Sequence, residues 1–372
     1  MNAQNVDNKP KVRKESKNKI RVEFDRTPLK ERLKAKFLSM FFLKKVVWYV
    51  FRLVLLIGVS YIVLFPFFTK IAGSFMAPED FVDVTVRLIP KNWTLNTYKA
   101  IWVDLEYVKA FSNTLLLSLS TAVVQMFVCC FIAYGLAKFK FKGNKFVFMA
   151  VIFSLIIPHQ TLQLSMFMKF RYFDILGIFK LFGGGGLSLF GKTITNNALA
   201  SFDIFPAAWK NFTPNGLNLT NSFWPLIILS ISGLAFKNGL YIFMLRQFFR
   251  GVPDELEESA YIDGSGVFHT FLTIILPISI PMMITVFLFA FSWQWTDDFY
   301  TTMFFTSTKT RMLSKLVEVP KSLETNYAGQ NLYYAAIRNT CGIMIIAPLV
   351  VMYLFCQRYL VQGIERSGLT AD

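Results

Sequence analysis

Apolar residues in this chain do not alternate with polar ones. They run together in long blocks separated by shorter polar stretches. Six blocks stand out, at roughly 46–68, 111–136, 146–168, 223–245, 271–295 and 337–360. Each is apolar around the whole helical circumference, and each is long enough for the ~20 residues that a bilayer crossing needs. Backbone N–H and C=O groups find no water in hydrocarbon, so all six blocks are expected to be helical. The pattern predicts an all-α membrane protein of six transmembrane helices.

Composition agrees. Of 372 residues, 54% are hydrophobic and 17% charged, against about 25% charged in an ordinary soluble domain. The net charge of +16 would suggest nucleic acid, but its distribution argues for membrane topology. Residues 1–45 hold fourteen Lys/Arg against five Asp/Glu and end where the first apolar block begins, as the positive-inside rule expects of a cytoplasmic tail. The start of this basic tail reads as disordered, and Leu29 to Leu43 as an amphipathic helix on an anionic leaflet. The loop KFKFKGNK, Lys138 to Lys145, is a second inside marker. Both termini are therefore expected in the cytoplasm. The first apolar block starts too late, and is too long, for a cleavable signal peptide. Cys129, Cys130, Cys341 and Cys356 fall inside apolar blocks and read as small buried hydrophobes, since their spacing fits neither zinc nor a disulfide framework.

The stretch GLSLFGKT, Gly186 to Thr193, fits the phosphate-cradling pattern G-x-x-x-x-G-K-[ST]. A working P-loop needs a strand before it, a helix after it and access to cytoplasmic ATP. The match instead follows four glycines, Gly183 to Gly186, in a loop that the topology puts outside. A Gly-rich loop that matches by chance is the expected reading. The alternative is a self-sufficient ATP-driven or ion-coupled transporter using the 183–193 loop. Ion coupling needs acids or histidines inside the membrane, and the six blocks contain no Asp or Glu. His159 stands beside Pro158 near the end of the third block, where a structural role at a kink is expected. No cluster of metal ligands or nucleophile with a base is visible, so neither a metal site nor a catalytic residue is expected.

One inside loop breaks the charge pattern. From Arg250 it reads RGVPDELEESAYIDGSGVFHTFLTIILP, with Asp254, Glu255, Glu257, Glu258 and Asp263. Pro253 suits a first helical position and Asp254 and Glu255 a first turn, while Gly264 can take the left-handed conformation that ends a helix. A short acidic helix, a tight Gly turn and a second apolar helix are predicted. Such a helix is either a solvated connector or a docking surface.

The segment resembles the EAA loop of ABC-importer permeases, with Glu258-Ser259-Ala260, then Gly264, then Ile274-Ile275-Leu276-Pro277 at the family's spacing and Ser259 where Ala is usual. FSNTLLLS (111–118), MLRQFFRGVPDELEESAYIDG (244–264), FSWQWTDDF (291–299) and QRYLVQG (357–363) extend the likeness to carbohydrate-importer permeases of the maltose-importer (MalG) type. It covers about 45–363 and fails over 181–221, an extracytoplasmic insertion.

The resemblance implies a type I importer transmembrane domain over 46–363 with a short cytoplasmic tail, 364–372. It implies a coupling helix between spans 4 and 5 that sits in a groove on a partner ATPase. Glu257, Glu258, Ser259, Ala260, Asp263, Gly264, Leu276 and Pro277 would serve that coupling, and Gln357 and Arg358 would begin a tail reaching the ATPase. The implied partners are a second permease subunit, two ATP-binding-cassette subunits carrying ATP and Mg, an extracytoplasmic solute-binding protein, a sugar substrate and membrane lipid; this chain itself would carry no cofactor. The expected location is the plasma (inner) membrane of a bacterium. Residues 300–335 and the insertion would face the binding protein.

Sugar sites stack aromatic rings on pyranose faces, so Trp293 and Trp295 are candidates for lining the substrate path, with interfacial anchoring as the alternative. Lys237 falls mid-block, where a charge costs about 2.5–3.5 kcal/mol. Either it faces a water-filled path or partner, or the block is drawn too far and the side chain snorkels to an interface.

Overall fold

The structure, a computed structural model, describes residues 40–175, 186–189, 192–195, 212–213, 216–307, 310–324 and 330–366. The basic tail up to residue 39 lies outside these residues, and with it most of the helix expected at Leu29–Leu43. The chain divides into two units, Met1–Phe67 and Phe68–Asp372. Helix α1, Met40–Gly73, carries all that is described of the first unit. It buries none of the side chains in its most hydrophobic window, which is the behaviour of a helix whose solvent is lipid.

In the second unit the helices follow in the order α2 (Asn96–Asp104), α3 (Tyr107–Lys138), α4 (Asn144–Ile156), α5 (Gln163–Arg171), α6 (Trp224–Ile231), α7 (Asn238–Gly251), α8 (Glu255–Ile262), α9 (Val267–Thr270), α10 (Leu276–Trp295), α11 (Phe299–Phe304) and α12 (Gln330–Arg366). A single π-turn, Phe271–Ile275, joins α9 to α10. Pro277 follows the π-turn directly; it has no N–H to give to the preceding turn, and the helical path changes its hydrogen-bond pattern at that point.

Among the described residues, four helical stretches are long and apolar enough to cross a bilayer: Phe42–Gly73, Tyr107–Lys138, Val267–Trp295 and Gln330–Leu360. The other two expected spans are not continuous helices. The third is a pair, α4 and then a 3-10 turn with α5, bent by 91° at Ile157–Pro158. Pro158 withholds an N–H and pushes Ile157 into an extended conformation, ψ 119°. The fourth, 223–245, is broken between α6 and α7 over 232–237. Gly233 (φ 74°) and Lys237 (φ 67°) both take left-handed conformations there. The N–H of Leu234 reaches back to the Leu229 carbonyl at 3.1 Å, which closes off α6.

The all-α expectation needs one small correction. Inside the 181–221 stretch, β1 (Gly186–Leu189) pairs antiparallel with β2 (Lys192–Thr195), and β3 (Phe212–Thr213) with β4 (Gly216–Leu217). The far end of this stretch is tied into the second unit. Phe173 and Leu217 exchange backbone hydrogen bonds at 3.0 and 2.9 Å, and Leu219 is buried with Phe170 and Phe304.

α3 is the axis of the packing. It runs against α10 and α7 and, over a shorter length, α6, while α12 packs on α10 and α4 on α7. Its buried face carries Ala110, Thr114, Ser118, Thr121, Ala122, Gln125, Cys129 and Ala133. Steps of three and four put these on one side of a helix. Side chains this small let neighbouring backbones come close, the main source of helix association where lipid removes the hydrophobic driving force. Thr121 bonds its hydroxyl to the Leu117 carbonyl at 2.8 Å and so presents only its methyl side. Cys129, Cys130 and Cys341 are free and buried, as small apolar side chains.

Ala122→Leu would overfill this contact. An overpacked core loses about 1–3 kcal/mol, so a thermal melt of the purified membrane protein should shift downward, while Leu116→Ala on the exposed face of the same helix should leave it unchanged.

Candidate functional site

The acidic segment forms helix α8, Glu255–Ile262, with Asp254 at its N-cap and Pro253 one residue before it rather than at the first helical position. Its two faces differ. Glu257 and Ala260, three residues apart, are buried, whereas Glu255, Glu258, Ser259, Ile262 and Asp263 are exposed. Gly264 ends the helix at φ 84°, a conformation that costs any residue with a Cβ. The N–H of Ser265 bonds the Ala260 carbonyl at 2.9 Å and that of Gly264 the Tyr261 carbonyl at 3.1 Å, so the last turn closes on itself.

The buried face is held by ions. The Tyr134 hydroxyl donates to Glu257 Oε1 at 2.6 Å. Lys138 Nζ lies 3.3 Å from Glu257 Oε2 and 2.6 Å from Asp254 Oδ1, and it also donates to the Val252 carbonyl at 2.7 Å. The Lys138 and Glu257 side chains are only 7% and 8% exposed. A charge taken out of water survives only if its hydrogen-bonding capacity is filled, and here one lysine fills all three donor positions on the α8 segment. The last turn of α3 is thereby bolted to the first turn of α8. The hydrogen bond from Lys138, and then its charge, hold the Asp254 carboxyl below the usual carboxylate range. Of the two adjacent glutamates, Glu257 is the anchor and Glu258 the one left free to meet another molecule. Sequence reasoning had no signal for Tyr134, whose role depends on a contact across more than a hundred residues. Leu276 and Pro277 lie apart from α8 at the start of α10, beyond the π-turn.

A second cluster assembles where the two broken spans meet. Lys237 stands at the break before α7, with Nζ 4.7 Å from the Phe236 ring centroid and 4.9 Å from that of Trp293. Cations favour aromatic faces electrostatically. His159, beside the break in the third span, packs edge-on against Phe236 at 5.1 Å, and its Nδ1 is 2.5 Å from the Tyr300 hydroxyl. An open cleft of about 200 Å³ lies among His159, Phe236, Trp293, Asp297 and Tyr300. Burial raises the Asp297 carboxyl above its ordinary range; its oxygens accept from the N–H groups of Tyr300 and Thr301 at the start of α11. A deeper hollow shares four of these residues and adds Gln125, Ser230, Tyr241 and Gln294.

The structure thus brings Lys237 and Trp293 together and separates them from Trp295. Trp293 is 48% exposed beside the cleft. Trp295 is 1% exposed; its indole N–H bonds the Ile345 carbonyl at 2.9 Å, and its ring packs against Phe291 and Phe111. It joins α10 to α12 and does not line the cleft. Lys237 is not at the middle of a continuous helix as expected, but at a break in one. Gln357 and Arg358 lie on the exposed side of α12 near its end. The P-loop pattern falls on β1 and β2: Lys192 pairs with Leu189 and Thr193 with Ser188 in an antiparallel ladder. A phosphate cradle needs these two residues at the start of a helix, so the strand pairing removes the support for an ATP site there. Gly183 to Gly185 lie outside the described residues.

Glu257→Ala would leave Lys138 and the Tyr134 hydroxyl without their buried acceptor, at a cost of about 3 kcal/mol. Hydrogen exchange over 254–262 should speed up, while Glu255→Ala on the exposed face should change little. Because the Asp254 carboxyl is depressed, its contact with Lys138 contributes above the ordinary carboxylate pKa and is lost only as pH falls through the lower folded value. Protection of α8 should therefore persist as exposed carboxylates protonate and decline at more acid pH.

Comparison with known proteins places this geometry. The chain is 25% identical over 310 residues to the inner membrane ABC transporter permease protein YcjP of Escherichia coli (strain K12), covering 83% of this chain and 91% of that protein. It is 24% identical over 327 residues to the galactooligosaccharides transport system permease protein GanQ of Bacillus subtilis (strain 168), covering 86% and 94%. Among solved structures, a chain of a bacterial ABC transporter involved in the import of the acidic polysaccharide alginate shares the fold, with a TM-score of 0.58 at 17% identity over 85% of this chain and 97% of that one. Residues 125–366, which carry α8 and both sides of the cleft, match the binding-protein-dependent transport system inner membrane components. This chain, a multi-pass protein of the inner membrane, belongs to that family.

Proposed function

We propose that this chain is the permease subunit of an ATP-binding-cassette importer that moves a sugar or oligosaccharide across the plasma membrane. A second permease chain, two ATPase subunits carrying ATP and Mg, and an extracytoplasmic binding protein complete the machine. In this reading the fold crosses the membrane six times, with α4–α5 and α6–α7 as broken crossings, and both termini and α8 lie in the cytoplasm. The sugar relatives, GanQ among them, support the substrate class.

The observation that carries the reading is the two-faced α8. Its inner face is locked to α3 through Glu257 and Lys138, and its outer face offers Glu258, Ser259 and Ile262 to a partner. An ATPase groove with a basic group opposite Glu258 would seat this helix. Movement of that groove on ATP binding would pull α8, and the ion-paired latch would hand the displacement to α3 without slack. α3 also carries Gln125, nine residues from Tyr134 and lining the deeper hollow. At 1.5 Å per residue these points are about 14 Å apart along one rigid helix. A displacement at the latch therefore reaches the cleft walls on α7 and α10, the helices packed along α3. This is rigid-body switching between two access states. Leu276 and Pro277 set the start of α10, and Gln357 and Arg358 lead the end of α12 toward the same partner. The antiparallel pairing of 186–189 with 192–195 gives no second reading through a self-contained ATPase.

In the reconstituted importer, Glu258→Lys should abolish transport and substrate-stimulated ATP hydrolysis without unfolding the chain, since Glu258 makes no buried contact. Lys192→Ala should leave both intact. A maleimide on Ser259→Cys should react only from the inner side of sealed cells; labelling from outside would reverse the topology and end this reading.

A further inference from the structure

The chemistry of the cleft specifies more than a sugar. We propose that the substrate carries an anionic group, a carboxylate or phosphate on the glycan, and that Lys237 at the start of α7 receives it. The inference rests on the permease reading and names the substrate class for its cleft.

The backbone is the first ground. Irregular backbone at membrane depth persists only where protein buries it or where it lines a water-filled cavity. Two spans break here, at Pro158 and over 232–237, and side chains beside both breaks, His159 and Phe236, meet at one cleft. Discontinuous helices of this kind point half-helix N-termini, their positive dipole ends, at anionic substrate groups. α7 starts at such a break. Its Asn238 N–H is taken by the Ala235 carbonyl at 3.0 Å, and the charge presented there is the Lys237 ammonium at the N-cap. Lys237 takes φ 67°, which a residue with a Cβ adopts only when its surroundings impose it.

The second ground is the partnering of charges. Among the described residues Lys237 Nζ has no hydrogen-bond or ion-pair partner and is steadied only by the Phe236 and Trp293 rings. The acids that border the cleft are differently placed. Asp297 is spent on the N–H groups of Tyr300 and Thr301 and on the Thr301 hydroxyl, and Asp298 accepts from the Thr302 hydroxyl. Asp297 caps α11, and neither carboxylate lies within ion-pair distance of Lys237 Nζ among the described residues. His159 is engaged with Tyr300.

The third ground is a polar lining that lacks partners. The fully buried Tyr241 hydroxyl and Gln294 Nε2 line the deeper hollow with no hydrogen-bond partner among the described residues. Unfilled buried polar groups are costly, and the hollow, about 20 Å³, has room for a water that would satisfy them. A cation flanked by Trp293, with donors and acceptors beyond, suits a sugar that has both a charged group and hydroxyls.

The purified importer complex should be titrated with three probes: a galacturonic acid trimer, a trisaccharide phosphate and a neutral galactose trimer. Wild type is expected to bind the uronate or the phosphate probe at least ~10-fold tighter than the neutral one, and which of the two binds identifies the anion. Lys237→Met should remove that preference and Lys237→Arg retain it. Equal or tighter binding of the neutral trimer, binding of none of the three, or an unchanged preference in Lys237→Met would overturn the proposal. ATP hydrolysis by the wild-type complex and its loss in Glu258→Lys report on the permease reading separately.

Discussion

Everything in the second unit is arranged around the small-residue face of α3. In lipid the surroundings of a helix are as apolar as its neighbours, so association depends on how closely backbones approach. Ala110, Ser118, Ala122, Cys129 and Ala133 permit that approach along 32 residues. α10 and α7 take their positions from it, α12 and α4 take theirs from those two, and Trp295 fixes the α10–α12 contact with a hydrogen bond to the Ile345 carbonyl. A helix packed this tightly on two sides moves as a rod, and that makes it useful for carrying displacement from one end to the other.

The two ends of that rod do different chemistry. At Tyr134 and Lys138 a buried ion pair and a short hydrogen bond fasten the acidic helix. Such a pair adds little net stability, since desolvation offsets much of its attraction, but it fixes geometry, because either charge alone would be left unpaired. Toward the other end, Gln125 and its bond to Ser230 stand over the hollow between broken spans. Membrane helices are broken at a cost in backbone hydrogen bonding. Two breaks meeting at one cleft, with a lysine at one and a histidine at the other, mark a place where that cost is met by water or substrate.

Much of the acidic helix was legible in local chemistry. Pro253, the acids at 254 and 255 and Gly264 each have a mechanical reason to start or stop a helix, and α8 runs between them from Glu255 to Ile262, with Pro253 and Asp254 just before its first residue. The third span's break was also signalled, by Pro158. The break at 232–237 was not read, because hydrophobicity continues through it and a sliding view of polarity sees one block. Its marks were Ser232-Gly233 and Asn238-Gly239, turn-forming pairs whose meaning is masked by the apolar residues around them. The P-loop pattern shows the converse: eight residues fit a functional expression, while the six of them that the structure describes lie in paired antiparallel strands.

Periodicity, charge asymmetry and turn residues determined that this chain is a helical membrane protein with an acidic helix between two apolar segments, since those properties act over distances of a few residues. They could not determine which of two neighbouring glutamates would be buried, or which of two tryptophans would face a cleft. Glu257 and Glu258 are identical in local propensity, and Trp293 and Trp295 are both apolar positions in one block. A rotation of about 100° per residue around a helix separates the buried glutamate from the exposed one and the cleft-side tryptophan from the packed one. Only the position of α3, fixed by packing across more than a hundred residues of sequence, says which side of each helix is inside.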